Sequence, residues 1–459
     1  MYQWTIYIYI FKMDAGFGIA GHSKSVVEMT TSKLDYWSPL VVENGVKKSY
    51  NIEIYPQSTS TDGPIDFHLA GDPEKFIDIA SLTLHGKLGI CKRKDREWIP
   101  IEKTDKVGFI NNFYQSLFSC VTVKVNDTEI GDIANSSYPY TSYIQTLLGT
   151  SSSQSANYIL QERGFIKDKP EFDGMITPTS YAFRKRAEPF HEHKRVDFNI
   201  PLHNDLMTAE KYLPPNTKLS FTLRRSSDNF VLWKPESDKN EYKIMLEDLH
   251  MKLKLLEVQH DVMKNHQKMT KESSGLRIKY TQNMLKTFAV PEGSVELKQH
   301  NLFFGNRLPD RVYLAFVEQD AYNGNMNKNP YVFENAEMSE ASLIVNGVCE
   351  PSPPYVYEKG ANEKDLYFNF LENTGTSPFE MDSVNVTLED FNNGYFIIPF
   401  DRSPTKDNGL YTNKSDGGNM TINVKCRNPL KKNFMVLVFA SYDSALLFVE
   451  DRVITQALY

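Results

Sequence analysis

The sequence predicts an all-β protein made of two tandem copies of one strand-rich unit, on three observations. Many short segments alternate apolar and polar residues with period two, the pattern of strands with one buried face. Turn residues punctuate these segments, and short strands with few helices indicate sandwiches or barrels rather than alternating βαβ units. Residues 119–149 spell out strand, turn, polar loop and small amphipathic helix, and residues 341–375 spell out the same order again. A chain of 459 residues is also too long for one ordinary core, so two domains are expected.

Taken in order, the first 45 residues sustain no periodicity and read as an arm without a core of its own, with Met13 a second candidate start. In residues 79–90, Leu82, Leu84, Leu88 and Ile90 share one strand face, and Gly86 keeps the register. Residues 111–118 (NNFYQSLF) read as a brief helical turn with Phe113 and Leu117 on one side. Val121 to Val125 alternates into the Asn126-Asp127 turn. The next helix has Pro139 in its first turn, Ser137 or its neighbour as cap, and Gly149 at its end. Tyr140, Tyr143, Ile144, Leu147 and Leu148 form its apolar stripe. Residues 196–202 and 219–223 return to strands.

The second copy starts with residues 249–255, which alternate as the Leu82 strand does, although Met245, Leu249, Leu253 and Leu256 also fit a helix face. Val345 runs into Asn346-Gly347, matching Val125-Asn126-Asp127. Residues 366–375 stand where 140–149 stood, and Ile398-Pro399-Phe400 stands for Ile200-Pro201-Leu202. Residues 435–439 and 446–450 echo 219–223 and 230–233. Copies of about 200 residues with long loops fit an eight-stranded jelly roll. The expected division is a flexible N-terminal arm over 1–46, a first jelly roll over 47–238 and a second over 239–459, with the boundary within 233–242.

Composition excludes some functions. A net charge of −7 and a pI near 5.9 argue against a main surface that grips phosphate backbones. No apolar run approaches the roughly 18 residues of a membrane-spanning helix. Cys91, Cys120, Cys349 and Cys426 show no metal-ligand spacing, and with no secretory signal in view they are expected as free thiols in an intracellular compartment. On the same ground the five Asn-x-Ser/Thr triplets, beginning at Asn126, Asn135, Asn385, Asn413 and Asn419, read as chance matches.

Several motifs invite sharper readings. Gly16, Gly18 and Gly21 with Asp35 imitate a dinucleotide fingerprint, but Lys12 to Ala15 separate the first glycine from the preceding β-like run and no βαβ alternation follows. His191-Glu192-His193 offers two imidazoles on one face of a strand, yet no third ligand is near, so a solvated strand edge is the reading. His260 and His266 fall in a polar loop over residues 258–274. Lys92-Arg93-Lys94 and Arg184-Lys185-Arg186 read as solvated loops, with a contact to DNA as the functional alternative, and Lys431-Lys432 is too small to argue from. There is no Gly-x-Ser-x-Gly elbow, P-loop or His-Glu-x-x-His. No residue is therefore nominated as catalytic, cofactor-binding or metal-binding, and no enzyme activity, cofactor or small-molecule substrate is expected.

Residues 107–126 (VGFINNFYQSLFSCVTVKVN), followed by Tyr138-Pro139-Tyr140 and residues 143–148 (YIQTLL), resemble the major capsid proteins of Polinton/Maverick virus-like transposons and the related adintoviruses. Weaker similar segments are residues 301–304, 308–312 and 442–453, so the resemblance spans roughly residues 47–457; it departs before residue 47 and over 258–274. It implies a double jelly-roll structural protein of an icosahedral virion capsid around double-stranded DNA. Three chains with two similar domains each would give a homotrimer with a pseudo-hexameric outline. Its partners would be neighbouring capsomers, penton and other minor capsid proteins, with indirect contact to packaged DNA. Synthesis would be in the host cytoplasm, with the nucleus an alternative place of assembly. Two rivals are a tandem β-sandwich module binding glycans or a protein ligand, and a cupin-like enzyme; the first lacks a secretion signal and the second a His/Glu metal spacing.

Overall fold

The computed structural model describes residues 45–58, 63–131, 137–155, 158–169, 180–273, 275–305, 307–374, 383–403, 417–449 and 452–457. Most of the expected arm, including Gly16, Gly18, Gly21 and Asp35, lies outside these residues. The described chain forms two jelly rolls. In the first, β1 (Val46–Ile54), β2 (Ile65–Leu69), β3 (Lys75–Lys94), β4 (Phe118–Val125), β5 (Thr128–Ile130), β6 (Val196–Pro201), β7 (Leu219–Arg225) and β8 (Tyr242–Val258) make two antiparallel sheets. Their orders are β1-β8-β3-β6, with Glu97–Pro100 also pairing β3, and β2-β7-β4-β5.

The second roll repeats this strand for strand. It consists of β9 (Leu276–Val290), β10 (Glu296–Gly305), β11 (Arg311–Glu318), β12 (Met338–Val345), β13 (Val348–Val356), β14 (Ile397–Asp401), β15 (Gly418–Cys426) and β16 (Phe434–Val449). The orders β9-β16-β11-β14 and β10-β15-β12-β13 are those of the first roll with every number raised by eight. The terminal strand Arg452–Ala457 adds to β16.

The equivalence reaches single side chains. At the β4–β5 turn the Asn126 Oδ1 accepts the Lys218 N–H at 2.7 Å, and at the β12–β13 turn the Asn346 Oδ1 accepts the Asn419 N–H at 3.0 Å. Each asparagine thus ties its hairpin tip to the start of the neighbouring strand, in the positive-φ conformation that asparagine tolerates. Gly418 has φ +141°, and a Cβ there would lie 1.9 Å from the Asn346 Oδ1, so this clamp requires glycine. Gly86 likewise makes room for the Phe198 ring, 2.9 Å from where its Cβ would be.

Two corrections follow from the pairing. The boundary expected at 238/239 cuts through the first roll, because β8 hydrogen-bonds β1 and β3 along most of its length. A jelly roll closes only when its last strand lies beside its first, so β8 is a strand of the first sheet and corresponds to β16, not to the Leu82 strand. Residues 435–439 and 446–450 are parts of the single strand β16, and the counterpart of 219–223 is β15. Residues 258–274, read as a loop, contain a 13-residue helix with no buried residue.

Helices fill the inter-strand loops: α1 (Tyr138–Gly149), α2 (Tyr181–Glu192), α3 (His260–Glu272) and α4 (Glu363–Asn373). Four of the five stripe residues of α1 are buried as the spacing predicts, Tyr140, Tyr143, Ile144 and Leu147 all at 2% exposure or less, and Leu148 is half-buried at its edge. Leu147→Ala is expected to cost about 2–5 kcal/mol in urea unfolding, as truncations in packed cores do. A loss below about 0.5 kcal/mol would be that of a surface position.

Candidate assembly seam

The first roll does not keep α1 for its own core. Tyr143 stacks on Tyr331 with ring centres 4.0 Å apart and planes 9° from parallel, and Tyr140 stacks on Tyr322 at 5.3 Å. Phe333 meets Tyr143 edge-on at 5.8 Å. The Tyr331 hydroxyl shares a 2.5 Å hydrogen bond with Ser116 Oγ, and burial pushes the Tyr140, Tyr143 and Tyr331 phenols well above their ordinary range. The second roll answers in kind: Ile278 and Tyr280 of β9, Leu446 and Phe448 of β16, and Val453 belong to the first roll's hydrophobic cluster. Asn283 Nδ2 donates to Asp205 Oδ1 at 2.9 Å, and Thr128 Oγ1 donates to the Val453 carbonyl at 2.7 Å.

Ser152, Lys167 and Asp168 form a polar side of the seam. The Ser152 N–H donates to the Ser383 carbonyl at 2.8 Å, and the Tyr395 hydroxyl donates to the Asp168 carbonyl. Lys167 Nζ reaches the Asn385 carbonyl and the Asp390 carboxylate. Burial lowers the affinity of Lys167 for its proton; for Asp390 burial acts in the raising direction but the Lys167 bond prevails and holds the carboxyl below its usual value. Both charges are mostly out of water and satisfy each other.

Between the rolls lies a cleft of about 670 Å³ whose walls include Gln145, His203, Lys279, Asp310, Asn373 and Asp443. Burial, and then the Arg163 charge, push the His203 imidazole down to about 4. Because this folded value is depressed, neutral His203 contributes its full stability above the unfolded value of about 6.5. That contribution drains away as pH falls from about 6.5 toward about 4. His203→Gln is expected to flatten this limb, so that the parent loses about 2–3 kcal/mol more than the variant between pH 7 and pH 4.5 in urea titrations.

The residues singled out in the sequence are scattered. His191 and Glu192 end α2 and His193 is its C-cap, so the pair sits on a helix terminus and not on a strand. His260 and His266 are exposed on α3. Lys92 pairs with Asp105 at 3.0 Å and Arg93 with Glu241 at 2.8 Å, both on the sheet rather than in a free loop. Of Arg184-Lys185-Arg186, the first two are exposed, while Arg186 is fully buried and bonded to Asp168. Lys432 pairs with Glu334 at 2.6 Å. All four cysteines are unpaired, and burial raises the Cys91 and Cys426 thiols. Among the described residues no group of three or more His, Cys, Asp or Glu side chains could hold a metal, and no helix is long and apolar enough to cross a membrane. Sequence reasoning missed Tyr331, Lys167 and Asp390, whose significance depends on partners more than 190 residues away.

No family model matches the chain. The uncharacterized protein F54H12.2 of Caenorhabditis elegans is 21% identical over 358 residues, covering 76% of this chain and 83% of its own length. Among solved structures, a chain of the Sputnik virophage has a TM-score of 0.59 at 13% identity, covering 94% of this chain and 93% of its own. The mavirus major capsid protein has a TM-score of 0.50 at 10% identity over 98% and 97%. PBCV-1 VP54, fitted into a reconstruction of Sputnik, has 0.53 at 9% over 92% and 100%. At such identities the likeness is one of fold, and the fold is the double jelly roll.

Proposed function

We propose that this chain is a major capsid protein, three copies of which close a pseudo-hexameric capsomer of an icosahedral shell around double-stranded DNA. The observation that carries this reading is the strand-for-strand duplication over residues 46–258 and 276–449. Two like rolls held at a fixed seam supply two of six positions about an axis, so three chains complete the ring. Solved capsid proteins of the same fold support it. Within that class, the residue 107–126 and YPY–TLL segments point to the Polinton/Maverick group, and a nematode relative suits a capsid gene carried in an animal genome. The product would belong to a virion made in the host cell, with penton and minor capsid proteins as partners.

Light scattering and electron microscopy of the purified full chain test this. Trimers with a hexagonal outline, assembling into shells as salt is varied, are the expected result. A stable monomer at tens of micromolar under all such conditions would overturn it.

A further inference from the structure

Resting on the capsomer reading, this inference names the contact that closes the ring. Within the chain, α1 packs on the segment that follows β11, through Tyr322, Tyr331 and Phe333. By the strand correspondence α4, which follows β13 as α1 follows β5, is the counterpart of α1. The segment that follows β3 is likewise the counterpart of the one that follows β11. The duplication therefore supplies both halves of a second seam, α4 on one side and the region after β3 on the other.

Both halves have the character of a contact surface. Helix α4 turns Leu366 and Phe370 into its own roll and leaves Phe368 55% exposed, with Asp365 and Glu372 exposed one turn to either side and Lys364 exposed beside Asp365. After β3, residues 103–106 and α2 enclose a cleft of about 620 Å³ floored by buried Phe183 and Ala187. Tyr181 is 63% exposed at its mouth. Its acids are largely engaged at home: Asp105 with Lys92 at 3.0 Å, Glu188 with Lys185 at 3.3 Å and Glu192 with Lys103 at 3.8 Å. Lys106 and Arg184 are exposed beside it.

We infer that α4 of one copy docks on this cleft of the next copy, with Phe368 entering over Phe183 and Ala187 and the acidic flanks of α4 facing Lys106 and Arg184. The occupant is a second copy of this chain, because residues 103–106 lie in the segment that the duplication pairs with α4 and the exposed bases Lys106 and Arg184 complement the acids of α4. An exposed Phe flanked by acids and an apolar-floored cleft with a basic rim are the anchor and pocket such an interface needs.

Full-length Phe368→Asp tests the docking by sedimentation velocity. Its circular dichroism is expected to stay native, since the side chain is exposed, while the trimer dissociates at concentrations at least tenfold higher than the parent's. Lys106→Glu with Arg184→Glu should weaken the trimer similarly, and adding Asp365→Lys with Glu372→Lys should restore it. A Phe368→Asp protein that trimerises like the parent would overturn the docking and leave the capsomer reading standing. A monomeric parent would instead remove the reading beneath it. If Phe368→Asp loses its native spectrum, the Lys106→Glu, Arg184→Glu protein decides, and unchanged association there overturns the inference.

Discussion

A fragment ending at Glu272, with all eight strands of the first roll, is expected to aggregate rather than fold. It retains Tyr140, Tyr143, Ile144 and Leu147 of α1 but loses the second-roll core into which they pack. Exposing four such side chains forfeits roughly 1.5–3 kcal/mol each, about 6–12 kcal/mol together. The whole net stability of a domain is about 5–15 kcal/mol. The fragment also loses Ile278, Tyr280, Leu446, Phe448 and Val453 from its own cluster. Gel filtration and near-ultraviolet circular dichroism would show the effect. A monomeric fragment with sharp thermal unfolding would mean that each roll closes its own core and that the seam is merely adhesive.

Arg186→Ala should be among the costliest single changes. The Arg186 side chain is wholly buried and donates from Nε to the Phe109 carbonyl at 3.1 Å, from Nη1 to the Ile166 carbonyl at 2.7 Å, and from Nη2 to Asp168 Oδ1 at 2.8 Å. Its removal leaves a largely buried carboxylate and two carbonyls without donors. Breaking one partner of a buried pair costs about 3–5 kcal/mol. Its neighbour Lys185 is exposed, and Lys185→Ala should stay within about 0.5 kcal/mol. Arg186→Lys should rescue little, because one ammonium cannot span three acceptors that a planar fork reaches. Urea titration of the three proteins checks this, and a loss for Arg186→Ala under about 1 kcal/mol would mean that water replaces the guanidinium.

The features legible in the sequence are those with a local period. The α1 stripe and the two asparagine turns depend on residues within one or two turns of each other, and the structure places them as read. The strand β8 could be recognised as a strand, but its roll could not, because membership is decided by pairing with β1 about 200 residues earlier. Pro235 and the polar run after Trp233 imitate a linker there. The true connector, α3, has only Val262, Met263 and Met269 as apolar residues and buries none of them fully, so its sequence reads as a polar loop. His191 and His193 alternate as strand residues would, yet they end α2, which tolerates Pro189 near its C-terminal end. Arg186 carried no signal at all: among charged neighbours, only packing reveals which one is inside.

The two rolls are alike in strand order but not in their loops. Residues 131–195 join β5 to β6 and carry α1 and α2, whereas the shorter run 357–396 joins β13 to β14 and carries α4. Each chain therefore carries two unlike sets of loops, and the covalent link through α3 fixes their ratio at one to one. Were the rolls separate chains, any assembly needing both in alternation would depend on matched supply, and a surplus of one would poison it. Fusion turns a problem of gene dosage into a property of the polypeptide, and it leaves each half at liberty to diverge without losing its mate.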